Sequence, residues 1–294
     1  MTADTNEAQR QYWNKIAGPR WVAAQEFRER RNQEILKLLL ARLQLAGGEH
    51  VLEIGCGTGV VTLPLAKAVG ERGHMLAVDI SEPMLAAARQ RIAESGTHNV
   101  TLLPGDAQVL SFEQATFDIA ASQMGVMFFA DPIAAFRNIG SALKPGGRLA
   151  FTCWAPLADN RHWLISYDIA VRHLGPPAPS TGREPGPLAF SDLDYVHQIL
   201  SAAGLSEITI ERAHPMIIGG SAEEEARQAL MMGPTARLID AKEPTEAIRQ
   251  TIAEEIAEAF AAEASAGPIR LAATIFLVTA RRLSGAQQTG FVTS

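Results

Sequence analysis

The chain has 294 residues, 47% hydrophobic and 20% charged, with a net charge of −6 and a pI near 5.7. That balance is globular and acidic, and it argues against nucleic acid as a partner, because phosphate binding normally leaves a basic face. Cys56 and Cys153 stand apart, with no C-x-x-C pair and no clustered histidines, so no metal is expected and a reducing, cytoplasmic setting fits better than a disulfide framework.

Residues 1–30 read as a polar arm whose aromatics include Tyr12, Trp13 and Trp21, with no apolar stretch of a secretion signal. "ERRNQEILKLLLARLQLAGG" reads as an amphipathic helix ending near Gly47, with Ile35, Leu36, Leu39, Leu40 and Leu43 at helical spacing. Strand and helix then alternate. "HVLEI" is a strand and residues 59–69 a helix. "HMLAVDI" is a strand, and "EPMLAAARQRIAES" a helix with Pro83 in its first turn, where a missing N–H costs little. "NVTLLPGD" and "FDIAAS" are strands, Asp131 to Leu143 a helix, "KPGG" a turn and "RLAFTCW" a strand. Apolar strands alternating with helices predict an α/β, doubly wound, mostly parallel sheet covered on both faces. Ligands on such sheets bind beyond the carboxyl ends of the strands, where the strand order switches.

The second half is less regular. "GPPAPSTGREPGP" (175–187) is a loop, and "SDLDYVHQILSAAG" a helix capped by Ser191. "SEITIERA" is a strand. Residues 221–263 are helical and acidic, with Ile248, Ile252, Ile256 and Phe260 forming one apolar stripe, and "IRLAATIFLVTARR" closes the chain as one long strand. The expected organisation is an arm or lid at 1–30, a core at 31–154, an insertion at 155–190, more core at 191–214, a helical cap at 215–268, a final core strand at 269–282 and a flexible tail at 283–294. No run of about 18 apolar residues occurs, so no membrane span is expected. The insertions either shape a substrate pocket or only cover apolar surface.

"HVLEIGCGTGVVTLPLA" (50–66) sets Gly55, Gly57 and Gly59 directly after the first strand. A dinucleotide turn requires G-x-G-x-x-G. Counted from Gly55 the third position holds Val60, and counted from Gly57 it holds Thr62, so both registers fail. Glu53 precedes the glycines, and a carboxylate there suits a cationic group better than a pyrophosphate. The segment resembles the first motif of the class I S-adenosylmethionine (SAM)-dependent methyltransferases, and the likeness runs from about residue 31 to 154, resuming near 190 and 271.

That resemblance implies a Rossmann-like methyltransferase fold of seven strands with a helical cap formed by insertions, and SAM as the cofactor. It implies that the Gly55–Gly59 turn packs on the methionine part, with Glu53 near its amino group. Asp79 then accepts from the ribose hydroxyls, Ile80 and Met84 line the adenine, and Asp106 contacts the adenine amino group with an Ala107 N–H nearby. Gln123 and Met124 fall near the methyl by position. "YWNKIAGPRW" and "GVMFFADPIAAF" look like a bacterial subgroup of the UbiE/COQ5-like small-molecule methyltransferases, which implies an arm folded over the cofactor.

Methyl transfer from a sulfonium is an in-line displacement, so the protein mainly aligns the partners and excludes water. A base is needed only when the nucleophile sheds a proton. His162, in "ADNRHW" after the fifth strand, is the best-placed candidate; the alternative is a surface or hydrogen-bonding histidine, and His197 and His214 are weaker. Tyr12, Trp13 and Trp21 can close over the ligand, where an aromatic face attracts a cation, or simply anchor the arm. Tyr12, Trp13, Met124, Phe128 and Trp154 are candidates for the wall of an apolar or aromatic acceptor's pocket, core packing being the alternative for Phe128. The expectation is a SAM-dependent methyltransferase acting on a small apolar or aromatic metabolite at carbon, oxygen or nitrogen, without metal, with a homodimer left open. The alternatives are an NAD(P)-dependent oxidoreductase and a SAM-binding protein that transfers no methyl.

Overall fold

The computed structural model describes residues 6–263 and 268–283. Three short helices, α1 (Glu7–Tyr12), α2 (Gly18–Ala23) and α3 (Gln25–Arg31), form the N-terminal arm, with a π-helical turn at Trp13–Ala17 between the first two. The core then alternates: α4 (Gln33–Leu43), β1 (His50–Ile54), α5 (Thr62–Val69), β2 (His74–Asp79), α6 (Glu82–Ser95), β3 (Val100–Pro104), β4 (Phe117–Gln123), α7 (Pro132–Ala142) and β5 (Leu143–Trp154). After α8 (Arg161–Leu174) and α9 (Leu193–Ala202) come β6 (Leu205–Ala213) and β7 (Met216–Ile218). Helices α10 (Ala222–Met231), α11 (Gly233–Lys242) and α12 (Glu246–Glu263) precede β8 (Arg270–Ala272) and β9 (Ile275–Arg282).

The sheet has seven strands in the order β3-β2-β1-β4-β5-β9-β6. β1 to β5 run parallel, and β9 lies antiparallel between β5 and β6. This is the expected mostly parallel α/β sheet. The chain moves one way from β1 to β2 and β3, and the other way to β4 and β5. The carboxyl ends of β1 and β4 therefore border the crevice where such folds bind ligands.

Each face of the sheet is sealed by helix stripes. Leu39, Leu43, Leu65 and Val69 pack on Met75 and Ile119 on one face. On the other, Phe136, Ile139, Val196 and Ile199 meet Phe151 and Phe276, and the Phe136 and Phe151 rings stack with centroids 5.4 Å apart. Full burial of such a side chain contributes about 1.5–3 kcal/mol. Asp131 caps α7, its carboxylate accepting from the Ala134 N–H at 2.9 Å, with Pro132 at the first helical position.

Helices α8, α10, α11 and α12 share an apolar cluster of their own, including Ile169, Ala226, Leu238, Ile252, Ile256 and Phe260. Ile248 does not belong to it: the side chain is 38% exposed at the start of α12, so the stripe begins one turn later than its spacing suggests. Other local expectations also shift. Helix α5 starts at Thr62 rather than 59, and α4 ends at Leu43, with Gln44 turning left-handed (φ 47°). Asp192, not Ser191, caps α9, because its carboxylate reaches the N–H groups of Asp194 and Tyr195. "KPGG" lies within β5, where the pairing with β4 shifts register between Phe117 and Ile119. The closing strand is broken at Ala273–Thr274: β8 pairs with β7 in a separate two-stranded sheet, and β9 joins the main one. The buried Asn160 side chain holds the break, accepting from the Thr274 N–H at 3.0 Å and donating to its carbonyl at 3.1 Å. Of the expected tail, residues 284–294 lie outside the described residues.

Candidate active site

A large cavity opens at the switch in strand order, walled by the ends of β1, β2 and β4 on one side and by the arm and cap on the other. At the end of β1 the chain turns through Gly55 (φ +69°), and a Cβ there would lie 2.8 Å from Gly125 Cα. Only glycine lets the β1 and β4 exits approach so closely. Ser122 locks the same contact, donating to the Ile54 carbonyl at 2.7 Å and accepting from the Gly125 N–H at 3.2 Å. Between them Met124 is forced to φ +61°, a conformation costly for a side chain with a Cβ, and it lines the cavity.

Asp79 ends β2. Its carboxylate accepts from the Gly57 N–H and the Ser81 N–H, both at 2.8 Å, so it braces the glycine turn and the start of α6 together. Burial pushes its pKa up to about 6 against the pull of these N–H groups. A carboxylate offers about four lone-pair sites, and two are used here, which leaves acceptor capacity for further hydroxyls. Asp106, after β3, accepts from the Gln108 N–H at 3.0 Å through Oδ1, while its buried Oδ2 has no partner. Gln123 Oε1 is likewise buried and unpartnered. Asp79, Asp106 and Gln123 all line the cavity, and Asp106 and Gln123 each present an unpartnered acceptor there. Buried acceptors without partners are unusual and ask for a donor-bearing ligand.

The arm closes the other side. The Ser81 hydroxyl donates to the Trp13 carbonyl at 2.9 Å, and the Asn14 side chain donates to the Ile80 carbonyl and accepts from the Glu82 N–H, both at 2.9 Å. A Cβ on Gly18 would stand 2.2 Å from the Trp13 carbonyl oxygen, so this fold of the arm needs glycine there. Arg20 pairs with Asp240 of α11 at 3.0 Å and Arg31 with Glu225 of α10 at 2.8 Å, tying arm to cap. Trp13 meets Phe128 edge to face at 5.0 Å, and Arg28 lies 3.9 Å over the Trp21 ring.

Of the residues singled out in the sequence, the cavity wall includes Tyr12, Trp13, Trp21, Gly55, Gly57, Asp79, Ile80 and Met84, as well as Asp106, Ala107, Gln123, Met124, Phe128 and Trp154. Three are placed elsewhere. Glu53 is 1% exposed behind the glycine turn, where the Thr62 hydroxyl donates to it at 2.6 Å and burial pushes its pKa up to about 7. It faces α5 through Thr62 and does not line the cavity. Gly59 faces helix α6, where an added Cβ would meet Ala88 at 3.3 Å. His162 is 2% exposed behind Trp154 and Trp163, its ring 5.3 Å and 5.2 Å from theirs. Neither ring nitrogen has a partner, and burial holds its pKa well below the ordinary value. A neutral imidazole packed behind a tryptophan wall does not reach a substrate in the cavity, so the role of general base is withdrawn. Among the described residues no cluster able to hold a metal occurs. Arg28, Asn32, Trp163, Met232 and Arg237 also line the cavity and escaped the sequence reading.

Residues 51–147 match the family model described as a methyltransferase domain. Aklanonic acid methyltransferase DauC of Streptomyces sp. (strain C5) is 37% identical over 36% of this chain and 48% of its own length. Nocamycin O-methyltransferase of Saccharothrix syringae is 27% identical over 84% of this chain and 90% of its own. Demethylmenaquinone methyltransferase of Listeria monocytogenes is 34% identical over 40% of this chain and 48% of its own. The chain thus spans about half the length of the first and third of these relatives. The fold is shared with phosphoethanolamine N-methyltransferase 2 of Haemonchus contortus in complex with SAM, at a TM-score of 0.53 and 18% identity over 86% of this chain and 53% of that one.

Proposed function

We propose that the protein is a SAM-dependent methyltransferase acting on a small apolar or aromatic metabolite. The observation that carries this reading is the set of acceptors at the β1, β2 and β3 exits: Asp79 braced on Gly57, and Asp106 with a free Oδ2. Adenosine supplies matching donors, two ribose hydroxyls and an adenine amino group. The glycine turn has Val60 and Thr62 where a dinucleotide site has glycine, which disfavours a pyrophosphate and hence the oxidoreductase alternative.

When bound, SAM supplies an electrophilic methyl on a positively charged sulfur. The chain's own work is then positional. Asp79 and Asp106 fix the nucleoside, Gln123 and Met124 border the methyl, and Trp13 and Phe128 close over it. Trp154, Trp163 and Met232 give the acceptor an apolar wall, which excludes water from the line of displacement. With His162 behind that wall, no cavity residue is assigned as base, and the reading favours acceptors that are already nucleophilic or ionised. The finer placement in the UbiE/COQ5-like group draws on "YWNKIAGPRW" and "GVMFFADPIAAF", whose Trp13 and Phe128 meet in this structure. Free, buried Cys56 and Cys153, their thiol pKa values pushed up by burial, suit work in the cytoplasm.

The test is incubation of the protein with isotope-labelled SAM and a small-molecule extract, followed by mass spectrometry. A labelled methyl on a low-mass product is expected. Binding of SAM with no labelled product across diverse extracts would instead favour a SAM-binding protein that transfers no methyl.

A further inference from the structure

The arm that lies over the end of β2 also grips the cap, and it does so through one side chain. Trp13 and Asn14 are fastened to Ser81, Ile80 and Glu82. Further along the same arm, Arg20 of α2 reaches α10 and α11. Its guanidinium clamps Asp240 with two N–H groups, Nη1 to Oδ2 at 3.0 Å and Nη2 to Oδ1 at 3.3 Å, and Nη1 also donates to the Met231 carbonyl at 3.3 Å. Met231 ends α10 and Asp240 lies within α11, so a single side chain spans the elbow between the two helices. Neither Arg20 nor Asp240 lines the cavity, but the elbow does, through Met231, Met232 and Gly233.

Local bonds hold this elbow weakly. Met232 is extended (φ −152°, ψ 154°), Gly233 takes φ +85°, and no side chain caps the start of α11. The last carbonyls of a helix need donors from outside it, and Arg20 brings one to Met231. On the other side, the Ser166 and Thr235 hydroxyls share a hydrogen bond at 2.9 Å, and a Cβ on Gly233 would lie 3.2 Å from Trp163 Nε1. The position of α11 therefore decides how the elbow meets Trp163, which also lines the cavity. A bidentate arginine–carboxylate pair fixes geometry as well as charge. We propose that Arg20 is a positioning residue that couples the two halves of the cavity: a nucleoside that holds the arm down on the strand ends also sets the α10–α11 elbow, and with it the wall that meets the acceptor. The nucleoside half of this coupling rests on the SAM reading above; the grip of Arg20 on the elbow does not. Coupling is reciprocal, so an acceptor that seats the elbow tightens the arm on the nucleoside.

Hydrogen exchange of the segment 229–241, read by mass spectrometry, tests both halves. In the free protein, Arg20→Gln is expected to speed exchange there about 2- to 5-fold, as for loss of a partly exposed ion pair. Arg20→Lys is expected to recover part of this, and Arg20→Asp combined with Asp240→Arg most of it. With S-adenosylhomocysteine bound, the wild-type segment is expected to slow further, Arg20→Gln to show no such slowing, and the reversed pair to regain it. Wild-type exchange unmoved by bound S-adenosylhomocysteine, or equal slowing in Arg20→Gln, overturns the coupling. Failure of S-adenosylhomocysteine to bind in calorimetry sinks the SAM reading instead. The free-protein comparison then still decides the grip of Arg20, which equal exchange in wild type and Arg20→Gln overturns.

Discussion

At the strand-end wall of the cavity, Asp79 and Asp106 are held by N–H groups one or two residues beyond them, or by the glycine turn of the neighbouring strand. At the arm-and-cap wall, Arg20 and Arg31 find their partners 220 and 194 residues further along the chain. The first wall is made by local turns on a sheet, each held by near neighbours in the chain or on the adjoining strand. The second exists only once helices distant in sequence have docked. On the function proposed above, a nucleoside would be held by local turns, and the acceptor would meet helices that dock from far along the chain.

The sharpest way to break this contrast is Asp79→Ala. The variant loses both the acceptor for the ribose hydroxyls and the brace on Gly57 and Ser81. S-adenosylhomocysteine affinity is expected to fall at least about 100-fold by calorimetry, given charge-assisted bonds of roughly 1.5–3 kcal/mol each. Unchanged affinity would mean that the strand-end wall does not hold the nucleoside at all.

Glu53 tests the hidden side of the same wall. Its carboxyl keeps its proton to about pH 7 in the folded chain, against 4.5 ordinarily, because burial disfavours the charge. The stability this contributes is complete below about pH 4.5 and is lost as pH rises to about 7. Glu53→Gln keeps an acceptor for the Thr62 hydroxyl and has no charge to bury. It is expected to be more stable than wild type by roughly 2–3 kcal/mol at pH 8 and to lose most of that margin at pH 4.5. Urea unfolding at the two pH values measures this, and an equal margin at both would remove the buried charge as the cause.

The smallest effect is expected at the cap side. His162→Phe replaces an imidazole with no hydrogen-bond partners by an apolar ring among Trp154 and Trp163. Stability is expected to change by less than about 1.5 kcal/mol, as for other volume-conserving core swaps, with methyl transfer to the identified acceptor within about twofold of wild type. A large loss of turnover at normal cofactor affinity would return His162 to the mechanism.

The same division explains what the sequence disclosed. Alternation of apolar strands and helices located the ends of β1, β2 and β3 to within a residue or two, and so placed Gly55, Gly57, Asp79 and Asp106 at the cavity before any coordinates. Glu53 lies close to the glycines along the chain, but its side chain is taken by Thr62 of α5, a partner nine residues on that the motif does not reveal. Gly59 was misjudged because a glycine serves close packing on Ala88 as well as it serves a ligand. The break between β8 and β9 is set by Asn160, 114 residues earlier, and no local pattern carries that information. Arg28 lies in the arm expected at 1–30, and its place in the cavity wall depends on helices far along the chain, which no local pattern carries.

Trp13, Asn14 and Gly18 form a clasp over the nucleoside wall, fastened to Ser81, Ile80 and Glu82 by three hydrogen bonds. On the function proposed above, a nucleoside lying on Asp79 would be covered by that clasp, and its release would be eased by parting those bonds. Exchange is then gated by a few contacts remote from the reacting atoms. The pace of repeated turnovers can be tuned in the first twenty-odd residues without touching the groups that hold the methyl donor.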